Sequence, residues 1–160
     1  GNEWADHITF NKSDSCINFI HSKHGLISTS ASNLHDVVGQ AVKNLGYMNF
    51  SKADFIKKFD AKFVGKYNST TGETNISRTR KGNLNGLDKY LSDLLKDFKL
   101  HRKCILSCSF VSKNEIKDEF DKISRGEKVN GHITQLLWIL SSFSHAVKEV
   151  NAIPIIYCSE

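Results

Sequence analysis

Apolar and polar positions alternate at the start of this chain. Residues 7–10 (HITF) predict a short strand, and residues 11–14 (NKSD) a polar turn. Residues 16–23 (CINFIHSK) predict a second strand. Cys16, Asn18, Ile20 and Ser22 share one face; Ile17, Phe19, His21 and Lys23 share the other. The two runs are close enough to form a hairpin, which Gly25 ends. The period then changes. Leu34, Val37, Val38, Ala41 and Leu45 recur at helical spacing, with Asn33, Asp36, Gln40 and Asn44 as a polar stripe beside them. Ser30 is the best-placed N-cap and Gly46 suits a C-cap.

Residues 51–59 predict a short amphipathic helix capped by serine, with Asp14 upstream left as a turn residue. Residues 65–86 are rich in Ser, Thr, Asn and Gly, and 66–83 read as a loop or polar insertion. Residues 84–100 predict a helix with Leu87, Leu91, Leu94, Leu95 and Phe98 inward. Residues 104–111 (CILSCSFV) are apolar enough to lie inside a sheet. Ser112 caps the next helix, with Glu115 at the capping-box position. Residues 132–150 predict a long helix carrying Leu136, Leu137, Ile139, Leu140, Phe143 and Val147, whose Trp138, His132 and His145 are assigned to packing. Residues 153–158 close the chain as a buried strand, and Pro154 places it at an edge or a strand start. Hairpin, helix, variable helical region, strand, two helices, strand: the order predicts an α/β (α+β) fold with a mixed central sheet flanked by helices. The length suits a single domain over residues 1–160, and the abrupt start reads as part of a longer protein.

Composition narrows the class. Hydrophobic residues make up 39% and charged residues 24%, as in ordinary globular domains. No apolar run approaches the roughly 18 residues of a membrane span. The first residues lack the basic-then-apolar order of a signal peptide, so the expectation is a cytoplasmic protein without a membrane partner. The net charge of +5 favours an anionic partner such as nucleic acid. Cys16, Cys104, Cys108 and Cys158 lie in or at the end of apolar runs, which fits buried free thiols in a reducing compartment. Their spacing lacks the paired loops of a zinc site. Neither a GxSxG elbow nor a GxxxxGK[ST] loop occurs.

The candidate chemistry sits on the hairpin. Metal-assisted phosphodiester hydrolysis needs an acidic ligand and a cation near the attacking water or the phosphate. Asp6 stands at the head of the first strand and Lys23 at the end of the second. If the strands pair, the two side chains can converge at one end of the sheet, where Lys23 would orient the water and stabilise phosphorane charge.

The segment AD-x-I-T-F, then INFIHSK, then a helix carrying Gln40 resembles the PD-(D/E)XK nuclease superfamily. The run FIHSKHGLISTSASNLHDVVGQAVKN is also similar to nuclease-like domains of bacterial anti-phage defence islands. The resemblance covers residues 3–45. It implies a restriction-endonuclease-like core, a site of Asp6, Lys23 and Gln40, Mg²⁺ or Mn²⁺ as cofactor, and DNA as substrate, with RNA as the alternative and defence proteins as partners. One position departs from the pattern: His21 stands two before the lysine, where the family carries an acid. Imidazole is a poorer ligand for Mg²⁺ than a carboxylate and suits Mn²⁺ or softer ions better. The site would then use Mn²⁺ with Asp6, Glu3 and His21 as ligands, recruit Glu3 or Asp14, or be inactive. The last option makes the chain a nuclease-fold module that binds nucleic acid or a protein. Arg78, Arg80 and Lys81 (NISRTRKGN) are candidates for the DNA backbone, and Ser28 and Ser30, with His35, for phosphate contact.

Overall fold

A polar turn folds the first two strands together. β1 (His7–Asn11) runs antiparallel to β2 (Cys16–Lys23), with His7 opposite Ile20 and Asn11 opposite Cys16. Asn11 Oδ1 accepts from Ser13 Oγ at 2.7 Å and from the Asp14 amide at 3.2 Å, so a side chain organises the turn. The computed structural model from which this is read describes residues 3–69 and 71–160. From β2 the chain enters α1 (Ala31–Asn44), which buries Leu34, Val37, Val38 and Ala41 as the spacing predicts. Asn44, expected on the polar stripe, is buried as well, and Gly46 is not a C-cap. The helix runs on into a 3₁₀ turn, Leu45–Asn49.

Residues Phe50–Leu100 form a second compact unit, separate from the one built by Gly1–Asn49 with His101–Glu160. It contains α2 (Lys52–Lys58), a π-helical turn (Phe59–Phe63), the antiparallel strands β3 (Lys66–Ser69) and β4 (Gly72–Ser77), and α3 (Leu87–Leu95). The strands replace the loop expected over 66–83. Tyr67 and Ile76 are exposed, and none of the described side chains of these strands is buried, so there is no apolar alternation to read. α3 is shorter than expected, and Phe98 lies beyond its end, 92% exposed rather than inward. Phe55 is the centre of this unit's aromatic packing, with ring centroids 5.3 Å from Phe50 and 6.1 Å from Phe63.

The capping of α2 is reciprocal. Ser51 Oγ accepts from the Asp54 amide at 3.1 Å, and Asp54 Oδ2 accepts from the Ser51 amide at 3.2 Å. Ser51→Ala removes half of this box. It is expected to cost about 1 kcal/mol, read as a lower urea midpoint at unchanged slope.

The chain returns to the first unit through β5 (His101–Ser112), α4 (Lys113–Ser124), α5 (Gly131–Glu149) and β6 (Ile153–Ser159). β5 lies parallel to β2 and β6 parallel to β5, giving a mixed sheet of order β1-β2-β5-β6. Each parallel pairing needs a long connection, which the helices supply. β6 is an edge strand with Pro154 at its second position, as expected, but it is not the buried strand its apolar run predicts: none of its residues is buried, because an edge strand has one neighbour only. Ser112 Oγ accepts from the Glu115 amide and so caps α4. α5 buries Ile133, Leu136, Phe143 and Val147, but Trp138 is 70% exposed and leaves the packing assigned to it. The core lies between the helices and one face of the sheet. Register puts Ile17, Phe19 and His21 of β2 beside Arg102, Cys104 and Leu106 of β5. α1 packs against both strands, and α5 against α1 and β6. Trp4 is buried too, stacked on Tyr47 with ring centroids 5.3 Å apart.

Candidate functional site

The first site residue is placed by the end of a ladder. β1 begins pairing at His7, so β2 has no β1 carbonyl to meet the Ser22 amide. Asp6 supplies the acceptor: its Oδ2 takes the Ser22 N–H at 2.7 Å. The carboxylate is thereby held against the strand that carries His21 and Lys23.

His21 points into the core and is only 1% exposed. Burial pushes its pKa below the ordinary imidazole value; the Asp6 charge opposes this shift and the Lys43 charge adds to it. The ring is therefore neutral at pH 7. Its Nδ1 has no hydrogen-bond partner among the described residues. An orphaned buried nitrogen of this kind costs stability, about 1–3 kcal/mol, unless a ligand or water meets it.

Lys23 ends β2 on the same face, with its side chain 32% exposed. Its Nζ donates to Asp36 Oδ2 on α1 at 2.6 Å. This hydrogen bond and charge hold the Asp36 carboxyl below its ordinary range. Asp36 is a residue that sequence reasoning left as polar surface. The signal for it was helical spacing: Asp36, Gln40 and Lys43 are four and three apart and so share one side of α1. Asp36 meets Lys23 and the Lys43 charge acts on His21, so this stripe runs along the outer end of β2. Gln40 sits between them, half-buried. Asp6, His21 and Lys23 thus lie at one end of β2, with Asp36 of α1 bonded to Lys23; Gln40 is on the same side of α1 as Asp36, one turn on.

The loop leaving Lys23 is fastened to β5. The Gly25 amide donates to Ser109 Oγ at 3.1 Å, and the Ser28 amide to the Phe110 carbonyl at 2.8 Å. A Cβ on Gly25 would lie 3.3 Å from that of Phe110, a close approach that glycine allows. Ser28 Oγ accepts from the Ser30 amide at 3.0 Å, so this serine organises the turn. Ser30 holds the N-cap position of α1 without a side-chain capping bond. His35 is exposed on α1, and Glu3 is exposed upstream of Asp6. Arg78, Arg80 and Lys81 belong to the Phe50–Leu100 unit. Asp14 is engaged in the β1–β2 turn.

The donors that could meet a divalent cation at the sheet end are Asp6 and the unpartnered Nδ1 of His21. Among the described residues no three His, Cys, Asp or Glu side chains converge as a ready cluster. The four cysteines are free. Burial pushes Cys104 up to about 12 and Cys108 up to about 11, and raises Cys16 as well. Because the thiolate is the reactive form, a disulfide reagent at pH 8 is expected to titrate Cys158 alone in the native protein, and all four thiols in denaturant. Fast native labelling of two or more would contradict this burial.

Comparison of the chain with family models, with curated proteins and with solved structures found no match.

Proposed function

We propose that the Gly1–Asn49 and His101–Glu160 unit is a restriction-endonuclease-like core that hydrolyses phosphodiester bonds in DNA with a divalent cation. The observation that supports this reading is that the Asp6 carboxylate is bonded to the backbone of β2 one residue before Lys23. The Lys23 ammonium reaches Asp36. A carboxylate and an ammonium on one rigid strand end are what in-line hydrolysis asks of a protein. Asp6 and the Nδ1 of His21 would hold the cation, with Mn²⁺ suited better than Mg²⁺ to a mixed oxygen and nitrogen pair. The bound cation would lower the pKa of a water molecule and offset phosphate charge. Asp36 offers the carboxylate missing at His21, and Glu3 is the alternative.

In this scheme Lys23 leaves Asp36 and donates to the non-bridging phosphate oxygens. Gln40 steadies the neighbouring group. Water gives up a proton to solvent as its oxygen bonds phosphorus, the P–O bond to the sugar breaks, and the leaving oxygen takes a proton from solvent. Ser28 and Ser30 lie on the loop beyond Lys23 as candidate phosphate contacts. A role in restriction or phage defence, with partner proteins of such a system, follows from the sequence resemblance.

The test is cleavage of plasmid and linear DNA with Mg²⁺ or Mn²⁺, comparing wild type with Asp6→Ala and Lys23→Ala. Metal-dependent cleavage lost in both variants supports the reading. A folded wild type that cuts nothing in either metal sinks it. A second reading, a nuclease-fold module without catalysis, is favoured by two observations: His21 is buried where an exposed acid is expected, and Lys23 is already engaged.

A further inference from the structure

The excess positive charge of this chain lies in one short segment. Lys57, Lys58 and Lys62 lie on α2 and the π-helical turn; Lys66, Arg78, Arg80 and Lys81 lie on or just after the β3–β4 hairpin. Between residues 57 and 81 only Asp60 and Glu73 oppose these seven cations. The remaining chain holds fifteen cations and fifteen anions, so the segment carries the entire net charge of +5. The unit with the candidate site is itself neutral, with eleven of each sign.

The hairpin gathers part of this charge. Lys66 pairs with Ser77 in the ladder. The Arg78 amide donates to the Gly65 carbonyl at 2.9 Å, and Arg78 Nε donates to the Lys66 carbonyl at 3.1 Å. Lys66 and Arg78 are thus fixed at the same end of the two strands. The Arg78 guanidinium lies over the Tyr67 ring, 5.6 Å from its centroid, and Tyr67 is 46% exposed. Lys57, Lys62, Arg80 and Lys81 are exposed.

We propose that residues 57–81 are a nucleic-acid grip that binds the phosphate backbone, with Tyr67 offering its ring to an unpaired base. Clustered cations neutralise phosphates and release counterions, which supplies sequence-independent affinity. An exposed tyrosine among them adds the stacking platform that single strands use. An acidic peptide would satisfy the charge but would leave the ring without a stacking partner. The proposal deepens the nuclease reading by locating its substrate grip, yet it concerns binding and not cleavage.

The experiment measures anisotropy of labelled oligo-dT and of a duplex of equal length, with full-length protein in EDTA over a range of KCl. Wild type is expected to bind with a steep salt slope. Exchanging Lys66, Arg78, Arg80 and Lys81 for Gln should lower the duplex slope by about three to four, since each phosphate contact contributes about 0.9. The milder pair Arg80→Gln with Lys81→Gln guards against misfolding and should lower it by about two. A control with Lys113, Lys117, Lys128 and Lys148 exchanged for Gln should keep the wild-type slope. If the control loses as much slope as the hairpin variant, or wild type does not bind at low salt, the proposal is overturned. Tyr67→Ala should weaken oligo-dT roughly tenfold and the duplex little, within the 1–3 kcal/mol of a base stack. Oligo-dT binding by this variant as tight as by wild type would remove the base contact from the proposal. Because no metal is present, a failure here leaves the cleavage reading standing, and lost cleavage with intact binding would do the reverse.

Discussion

Lys23→Ala is expected to slow metal-dependent DNA cleavage by roughly 10²–10³-fold, the usual effect of removing one preorganised donor to transition-state charge. The same change should barely affect stability. The Lys23–Asp36 pair is solvent-accessible at both ends, and such screened pairs contribute little to stability. Activity and stability therefore separate at this position. They do not separate at Asp6→Ala, which also strips the Ser22 amide of its acceptor. Asp6→Asn resolves the two roles, because an amide oxygen can still accept from Ser22 while the negative charge is gone. Cleavage lost in Asp6→Asn at an unchanged melting temperature identifies a metal-binding carboxylate. Full activity in Asp6→Asn would reduce Asp6 to a cap on the end of β2. Asp36→Asn separates its two possible roles by sign. Cleavage rises if Asp36 restrains Lys23 and falls if it serves as the second carboxylate.

The second large effect is a pH dependence carried by His21. Its folded-state pKa lies below the ordinary imidazole value of 6.5, mainly because the ring is buried. Below about pH 6.5 the unfolded chain takes up a proton that the folded chain resists. The unfolded state then binds more protons, so stability rises with pH across this window. The contribution is fully present above 6.5 and is lost as pH falls toward the depressed folded value, by up to about 1.4 kcal/mol per pH unit. The measurement is urea unfolding between pH 7.5 and 5 in EDTA, for wild type and His21→Leu. Other histidines and carboxylates contribute to both proteins, so the difference between the two curves isolates His21. It should grow in favour of His21→Leu as pH falls. Parallel curves would mean that the native imidazole is solvated or already charged.

Much of this fold was legible because its buried faces repeat. Ile17, Phe19 and His21 lie on one face of β2 at a period of two, and all three are at most 1% exposed. Leu34, Val37, Val38 and Ala41 keep the helical period and line the buried side of α1. The failures occurred where burial does not write a pattern. β3 and β4 place Tyr67 and Ile76 in solvent, so hydrogen bonding between strands makes the hairpin with no apolar alternation to announce it. Trp138 and Phe98 fit a helical period by identity, yet exposure of an aromatic residue depends on whether another element reaches it. Asn44 kept its place in the polar stripe by spacing alone, and packing at the end of α1 buried it.

The candidate site divides in the same way. Residue type and order made Asp6, His21, Lys23 and Gln40 candidates, and strand alternation puts His21 and Lys23 on one face of β2 whatever surrounds them. That Asp6 bonds the Ser22 amide, that His21 is sealed from water with one nitrogen unpaired, and that Lys23 meets Asp36 required the tertiary structure. Local sequence determines the period of an element and hence which side chains share a face. Which acid lies opposite Lys23 depends on how α1 is laid across β2, and that is decided by the packing of Leu34, Val37 and Ala41 on the sheet.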